Sequence, residues 1–440
     1  MIKKIITAIL SVLIIYPNSF AQQNDSLKLS LKDAVQKTLE HNFGILLSQK
    51  DLEKAEQNDS WGKAGLYPLI SAGAGQNNRY DNIESLYTNG RDESYKSSLT
   101  PYLNIQMNLF KGFSVKITKE NLEHLKSVSE SKLRLTAENT LTQLINAYNA
   151  VLLENEKLKV TEYLMQLSKD RYKYELIRQK LGLSVSYKVL QEKNAFLTDS
   201  SNYLSQLMNT RSAMRELGKI MGDKEINDYM LTDSLRIKQT DFDLADLENK
   251  MYENNTDLKI LLTDKQIKEN NVKLAKSSLY PSLSLNAGAD HTNSYLKYNS
   301  VSSTSYSYDA YAGLSLSYNI FNGNNRKRNI NEAKIDAEKS QIQTEELKTV
   351  LRNNLYNLYE MYQTRKQLLK VAEENFKAAS LNLEISKDKF RTGVINSFNF
   401  RDIQKVYLNS AFALSQAKYY LIMTYNDLLR ISGQIYEAYQ

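Results

Sequence analysis

Residues 102–112 read Tyr102-Leu103-Asn104-Ile105-Gln106-Met107-Asn108-Leu109-Phe110-Lys111-Gly112. Leu103, Ile105, Met107 and Leu109 alternate with Tyr102, Asn104, Gln106 and Asn108. A period of two is the pattern of a β-strand with one apolar and one polar face. The end of this stretch, Asn108 to Gly112, returns 211 residues later as Asn319-Ile320-Phe321-Asn322-Gly323. There too it closes an alternating run, with Ala312, Leu314, Leu316, Tyr318 and Ile320 set against Gly313, Ser315, Ser317 and Asn319. Three further landmarks recur in the same order. Leu66-Tyr67-Pro68 returns as Leu279-Tyr280-Pro281 and His41-Asn42 as Asn254-Asn255, each 213 residues on, and Lys180-Leu181-Gly182 returns as Arg391-Thr392-Gly393, 211 residues on. Ordered landmarks at a nearly constant offset mark a tandem duplication, with a period far beyond the roughly 20–50 residues of solenoid repeats.

Working outward, each repeat holds two strand-like stretches, about 68–77 and 101–110 in the first and 281–290 and 308–321 in the second. In the second pair, Leu283, Leu285 and Ala287 alternate with Ser282, Ser284 and Asn286; in the first, Ile70, Ala72 and Ala74 share a face. The polar stretches between them, 78–97 and 291–307, are expected to be loops. Strands of about ten residues with one apolar face fit a membrane β-barrel with a wet lumen. The competing reading is a soluble sheet packed on helices, for which the rest of the chain offers no obvious compact core. Four strands cannot close a barrel. Bacterial barrels begin at about eight strands, and a lumen of that size is filled by side chains. A trimer of about twelve strands is the smallest assembly with an open pore.

The prolines are Pro17, Pro68, Pro101 and Pro281. Long proline-free stretches permit long helices. Residues 113–180 carry Leu141, Leu144, Ile145, Tyr148, Val151 and Leu152 at helical spacing, and 325–391 carry Leu347, Leu351, Leu355, Leu358 and Tyr362. At 1.5 Å per residue each helix would be about 100 Å long and needs side-by-side partners. Shorter helical segments, 31–65 and 186–219 in one repeat and 243–278 and 397–430 in the other, add up in pairs to nearly one long helix. Stacked end to end, each pair would run antiparallel beside it.

Composition narrows the function. Lys3 and Lys4, the apolar run from Ile5 to Ile15, and Ser19-Phe20-Ala21 have the form of a secretory signal peptide over 1–21; a buried N-terminal helix is the competing reading. There is no cysteine, so disulfides, thiolate metal sites and thiol nucleophiles are excluded. The 57 basic and 50 acidic residues, net +7, are mixed along the chain and describe a solvated helical surface rather than a nucleic-acid binder. Tyrosine numbers 30 against a single Trp61, which suits surfaces that are part wet and part apolar. His41, His124 and His291 are scattered, with no HExxH and no GxxxxGK[ST]. No enzyme, cofactor or metal site is expected.

The signal peptide, the duplicated helix–strand–strand–long helix–helix unit and the glycine turn in each half resemble the TolC-like outer-membrane efflux proteins, over essentially the whole mature chain. The resemblance implies a mixed α+β membrane protein, mainly α: a homotrimer whose 12-stranded β-barrel in the outer membrane continues into a long periplasmic α-helical barrel. It implies an outer-membrane location in a Gram-negative bacterium, contact with outer-membrane lipid, and two partners: a periplasmic adaptor (membrane fusion protein) and an inner-membrane transporter of RND, ABC or MFS type. The chain would be the passive channel of a tripartite efflux or type I secretion system. The expected layout is a first repeat over 22–220, a linker over 221–241, a second repeat over 242–432 and a tail over 433–440. Pro68, Pro281, Gly112 and Gly323 fall at the helix–strand junctions. Leu181, Gly182, Leu183 and Ser184, with Thr392, Gly393, Val394 and Ile395, match the tips where the adaptor docks, with a bare turn as the competing reading. Asp402 matches the acidic lining of the periplasmic aperture, with a solvated surface aspartate as the competing reading. Asn399 stands where relatives carry a second acid, and Lys188 and Gln191 fill the first repeat's positions, so a weak acidic ring is expected. The alternative function is a periplasmic or secreted coiled-coil interaction protein without channel activity, which leaves the paired strands unexplained.

Overall fold

The computed structural model describes residues 27–85, 90–235 and 240–439. The signal-peptide segment 1–21 lies outside them. In chain order the first repeat contains β1 (Leu27–Leu29), α1 (Leu31–His41), α2 (Phe43–Asn58), α3 (Trp61–Ala64), β2 (Leu69–Ser85), β3 (Gly90–Lys111), α4 (Ser114–Lys180) and α5 (Ser186–Met221). After β4 (Tyr229–Leu231), the second contains α6 (Leu244–Asn254), α7 (Thr256–Ser277), β5 (Ser282–Tyr298), β6 (Val301–Ser317), α8 (Asn325–Arg391), α9 (Ser397–Ile431) and α10 (Ile435–Tyr439).

The two long helices have 67 residues each. Their buried positions follow the three- and four-residue alternation of coiled-coil seams. In α4 these include Thr161, Leu164, Ser168, Arg171 and Glu175; in α5, Val189, Glu192, Asp199, Gln206, Thr210 and Leu217. In α8 they are Ser340, Thr344, Leu351, Leu355, Tyr362 and Leu369; in α9, Phe400, Gln404, Ala411 and Ser415.

The helices expected as single pieces over 31–65 and 243–278 are broken, and by the same residue type. Asn42 (φ −64°, ψ 126°) and Asn255 (φ −60°, ψ 122°) leave the helical region and cap the helices that follow. Asn42 accepts from the N–H groups of Gly44 and Ile45, and Asn255 from that of Leu258. An asparagine cap satisfies the orphan donors of a new helix and so restarts the chain in a new direction. This is the physical content of the His41-Asn42 and Asn254-Asn255 echo.

The sheet also differs from expectation. Its order is β2-β3-β5-β6, antiparallel throughout. The polar stretches expected as loops are paired strand through Ser85, from Gly90, to Tyr298 and from Val301, whereas the strand expected to reach 321 ends at Ser317. Tyr, Thr and Ser pair well in a solvated ladder without any apolar alternation, which is why periodicity missed this part. A 17-residue strand is about 56 Å long, more than the roughly 9–11 residues that cross a bilayer. The segments expected to be linker and tail are likewise ordered in part. β4 pairs in parallel with β1, and in α10 Ile435 is fully buried. Tyr439 donates to Asn426 at 2.6 Å, and burial pushes its hydroxyl pKa up to about 12.

The chain forms two compact units. Among the described residues, one comprises 27–38, 143–235 and 369–419, and the other 39–85, 90–142, 240–368 and 420–439. The first contains both interhelical turns and the second the four-stranded sheet. In the first, the Tyr148 hydroxyl donates to Asp233 at 2.7 Å and lies 3.0 Å from the Leu29 carbonyl, fastening α4 to β1 and to the segment that follows β4. In the second, Tyr362 donates to the Thr240 carbonyl at 2.9 Å and packs edge-on against Phe242.

Candidate functional site: the sheet wall and the hairpin tips

The register fixes what each face of the sheet presents. Ile70 lies opposite Ile105, Ile105 opposite Ala287, and Ala287 opposite Ala312. The next row is Ala72, Leu103, Ala289 and Ala310, and the row on the other side joins Met107, Leu285 and Leu314. Directly opposed residues share a face, so one face is an apolar band across all four strands. Past that band, toward the hairpin turns, the same face becomes aromatic. His291 stacks on Tyr308 with ring centroids 4.2 Å apart, and Tyr95 approaches Tyr295 at 6.4 Å. An apolar band edged by aromatic rings suits a surface that meets an apolar phase beside water.

The opposite face is polar. Its rows include Ser71, Asn104, Gly288 and Tyr311, then Gly73, Tyr102, Asp290 and Asp309. Tyr102 lies over Gly73, where an added Cβ would fall 2.6 Å from its hydroxyl; Tyr311 lies over Gly288 at 2.7 Å by the same measure. Rings laid across glycines keep this face shallow and help to explain the tyrosine content.

At the tips, Gly182 (φ 72°) and Gly393 (φ 79°) take the left-handed conformation that ends a helix. The N–H of Leu183 reaches back to the Arg178 carbonyl at 2.8 Å, and that of Val394 to the Lys389 carbonyl at 2.9 Å. The two turns are the same structure built from different side chains. Leu181, Leu183 and Val394 are about two-thirds exposed. Thr392 is exposed, while Ser184 and Ile395 are half-buried.

Behind the tips lies a polar cluster. The Arg171 guanidinium, 8% exposed, contacts Glu192 at 2.6 Å and donates to Gln404 at 3.0 Å. It also covers the stacked rings of Phe390 and Phe400, at 4.7 and 4.9 Å from their centroids. Further along α5, Asp199 accepts two bonds of 2.6 Å from Arg401. These residues were not singled out from the sequence. The signal was Glu192, Asp199 and Gln206 at seven-residue spacing, which ordinarily marks a solvated face. Asp402 is 77% exposed and 4.0 Å from Lys405, next to an Arg401 already committed to Asp199. Asn399 is exposed, and its N–H donates to Asn396 at 2.9 Å. Pro68 and Pro281 stand immediately before β2 and β5, and Gly112 and Gly323 come between sheet and long helix. Among the described residues no helix is long and apolar enough to cross a membrane, and no group of His, Asp and Glu could hold a metal ion.

A duplicated protomer with a two-faced antiparallel wall and paired long helical hairpins has the fold of outer-membrane channel subunits. It superposes on the Campylobacter jejuni CmeC outer membrane channel with a TM-score of 0.72 at 16% identity, covering 92% of this chain and 86% of that one. A membrane protein from Pseudomonas aeruginosa gives 0.73 at 16% identity, covering 92% and 93%. The outer membrane protein VceC from Vibrio cholerae gives 0.68 at 14% identity, covering 92% and 96%. Residues 247–434 match the model of the outer membrane efflux protein family, a family of channels and not of enzymes. The chain thus carries the efflux-protein signature in its second repeat and the TolC-like fold throughout its described residues. By sequence alone, no curated protein matches it.

Proposed function

We propose that this chain is the passive outer-membrane channel of a tripartite efflux or type I secretion system in a Gram-negative bacterium, working as a homotrimer. The observation that carries this reading is the register of the sheet: one face apolar and edged with aromatic rings, the other polar, across four strands whose terminal edges, on β2 and β6, are unpaired among the described residues. Long unpaired edges invite pairing with another chain, and three copies give a closed wall of about twelve strands, wide enough for an aqueous pore. The helices support the same assembly. On α5, Tyr187, Leu190, Leu197, Leu204 and Met208 form a second stripe at coiled-coil spacing, more than half exposed. Val371, Leu381 and Ile385 are similarly bare on α8.

In this assembly the tips at Gly182 and Gly393 meet a periplasmic adaptor, and an inner-membrane pump of RND, ABC or MFS type supplies substrate and energy. Asp402 lines the narrow entrance, its charge offset by Lys405, so its ring is a mild cation attractor. The test is fractionation followed by planar-bilayer recording. The channel reading expects a detergent-extracted trimer with ionic conductance and, for Asp402→Ala, reduced cation selectivity. A monomer recovered in the soluble periplasm sinks it in favour of the coiled-coil interaction protein. Replacing Gly182 and Gly393 by valine should abolish export while the trimer still inserts; normal export removes the adaptor from the tips.

A further inference from the structure

The two sheet-to-helix junctions share a backbone and differ in surroundings. Gly112 and Phe113 have φ of 56° and 67°; Gly323 and Asn324 have 65° and 63°. The first junction is seated. A Cβ on Gly112 would fall 2.2 Å from the Ser277 carbonyl oxygen and 3.1 Å from the Tyr280 Cβ. Phe113 packs edge-on against Phe110 at 5.2 Å and Tyr280 at 5.8 Å. The seat is therefore the end of α7 and the Tyr280 that follows, a part of the second repeat.

The second junction has no such seat. Nothing lies within 4 Å of a Cβ built on Gly323. Ile320 is 86% and Phe321 76% exposed, and together with Asn324 they border an open cavity of about 410 Å³. The corresponding segment of the first repeat is exposed at Leu66 and Tyr67, while Ala64 is buried. Shifted by the repeat offset, Ser277, Leu279 and Tyr280 become Ala64, Leu66 and Tyr67. Tyr67 is 64% exposed, and a Cβ on Gly65 would meet nothing within 4 Å.

We infer that the second junction of one copy seats on the Ala64–Tyr67 segment of the next copy, repeating between chains the contact the first junction makes within one. The occupant of the bare junction is a second copy of this chain, because the only template for its surroundings is the chain's own first junction, and that template calls for a segment left uncovered at the other end of the repeat pair. The Gly323 backbone lies against the Ala64 carbonyl, and Tyr67 packs against Phe321 and Asn324. The contact is head-to-tail, and such contacts close into rings when the rotation permits. Gly112 and Gly323 then do different work with one conformation: Gly112 allows the chain to fold, and Gly323 allows the copies to join. This rests on the trimeric channel reading and adds to it the residues that join copies at the membrane-proximal end of the long helices.

The natural absence of cysteine makes the test direct. Full-length protein carrying both Tyr67→Cys and Asn324→Cys is oxidised in outer membranes and run under denaturing conditions. The expected result is a covalent trimer that collapses on reduction, with neither single variant cross-linking beyond background. Phe113→Cys with Tyr280→Cys is the template control and should bridge within one chain without raising its mass. A native trimer in detergent whose Tyr67 and Asn324 cysteines do not bridge, while the control does, overturns the seating and leaves the trimer standing. A monomer in detergent overturns both. The second arm compares asparagine at the two glycines, since asparagine tolerates positive φ. Gly323→Asn should lower the trimer yield at least tenfold with unchanged helical circular dichroism, whereas Gly112→Asn should impair folding of the chain itself. Wild-type trimer yield from Gly323→Asn counts against the seating.

Discussion

Two stretches of the helices show two kinds of core. In the unit that holds the sheet, the last turns of α9 bury Leu421, Ile422, Leu428, Leu429 and Ile431. In the unit that holds the tips, the equivalent seam positions are Arg171, Glu175, Glu192, Asp199, Gln206 and Gln404. Both stretches are tightly buried, the first mainly by apolar residues with Thr424 and Asn426 among them. The apolar seam gains from dehydration in every arrangement that keeps it closed. The polar seam gains only in one geometry, because each charge taken out of water must find its partner. Several of its atoms are left without one: Arg171 Nε, Glu175 Oε2 and Gln404 Nε2 are buried without a hydrogen-bond partner. Such a seam defines a register strongly, because only the paired geometry satisfies its charges.

The largest effect should come from splitting the buried pair. Arg171→Ala leaves Glu192 buried and unpaired, with an expected cost of about 3–5 kcal/mol. The double variant Arg171→Met with Glu192→Met should recover most of that. Hydrogen exchange along α4 and α5 reads the difference, and a single variant as protected as wild type would erase the distinction between the seams. In the apolar seam, Leu428→Ala should cost about 2–5 kcal/mol by cavity formation, seen as a lower thermal midpoint with no dependence on salt.

A smaller, pH-dependent effect belongs to Asp427. Burial raises its carboxyl pKa, and Arg430 and Arg365 offset this only in part. Its folded pKa thus lies above its unfolded value. It favours the folded state at acid pH, and that contribution is lost as pH rises through the folded pKa. Asp427→Asn should raise the thermal midpoint at pH 7 and leave it nearly unchanged at pH 4. An equal shift at both values would show that charge is not the cause.

Much of this was legible in the chain. Alternation at 102–109 and 282–287 showed which strand faces are apolar, because there one face of the sheet is apolar and the other polar. It did not show the strand segments 78–85, 90–97, 291–298 and 301–307, whose polar and aromatic residues follow no period of two. The proline and glycine landmarks gave the order of elements, since those residues act on the backbone locally. The asparagine echo was visible but mute, because a cap is recognised by the N–H groups it faces. At the candidate tips, the exposed leucines and valine followed from the turn. The polar cluster behind them did not, because a charged residue on a helix is ordinarily solvated and only the neighbouring helices show otherwise.

By itself, the sequence determined the duplication, the two periodicities, the long unbroken helices and the glycines on which the turns depend. These rest on sterics and on local solvent contrast, which each residue carries with it. Tertiary structure alone decided which polar residues are buried with partners, how far the strands extend, and that Gly112 is walled in by the Ser277 carbonyl while Gly323, in the same conformation, is open. Those are properties of what lies across from a residue, and the partner is a distant part of the chain.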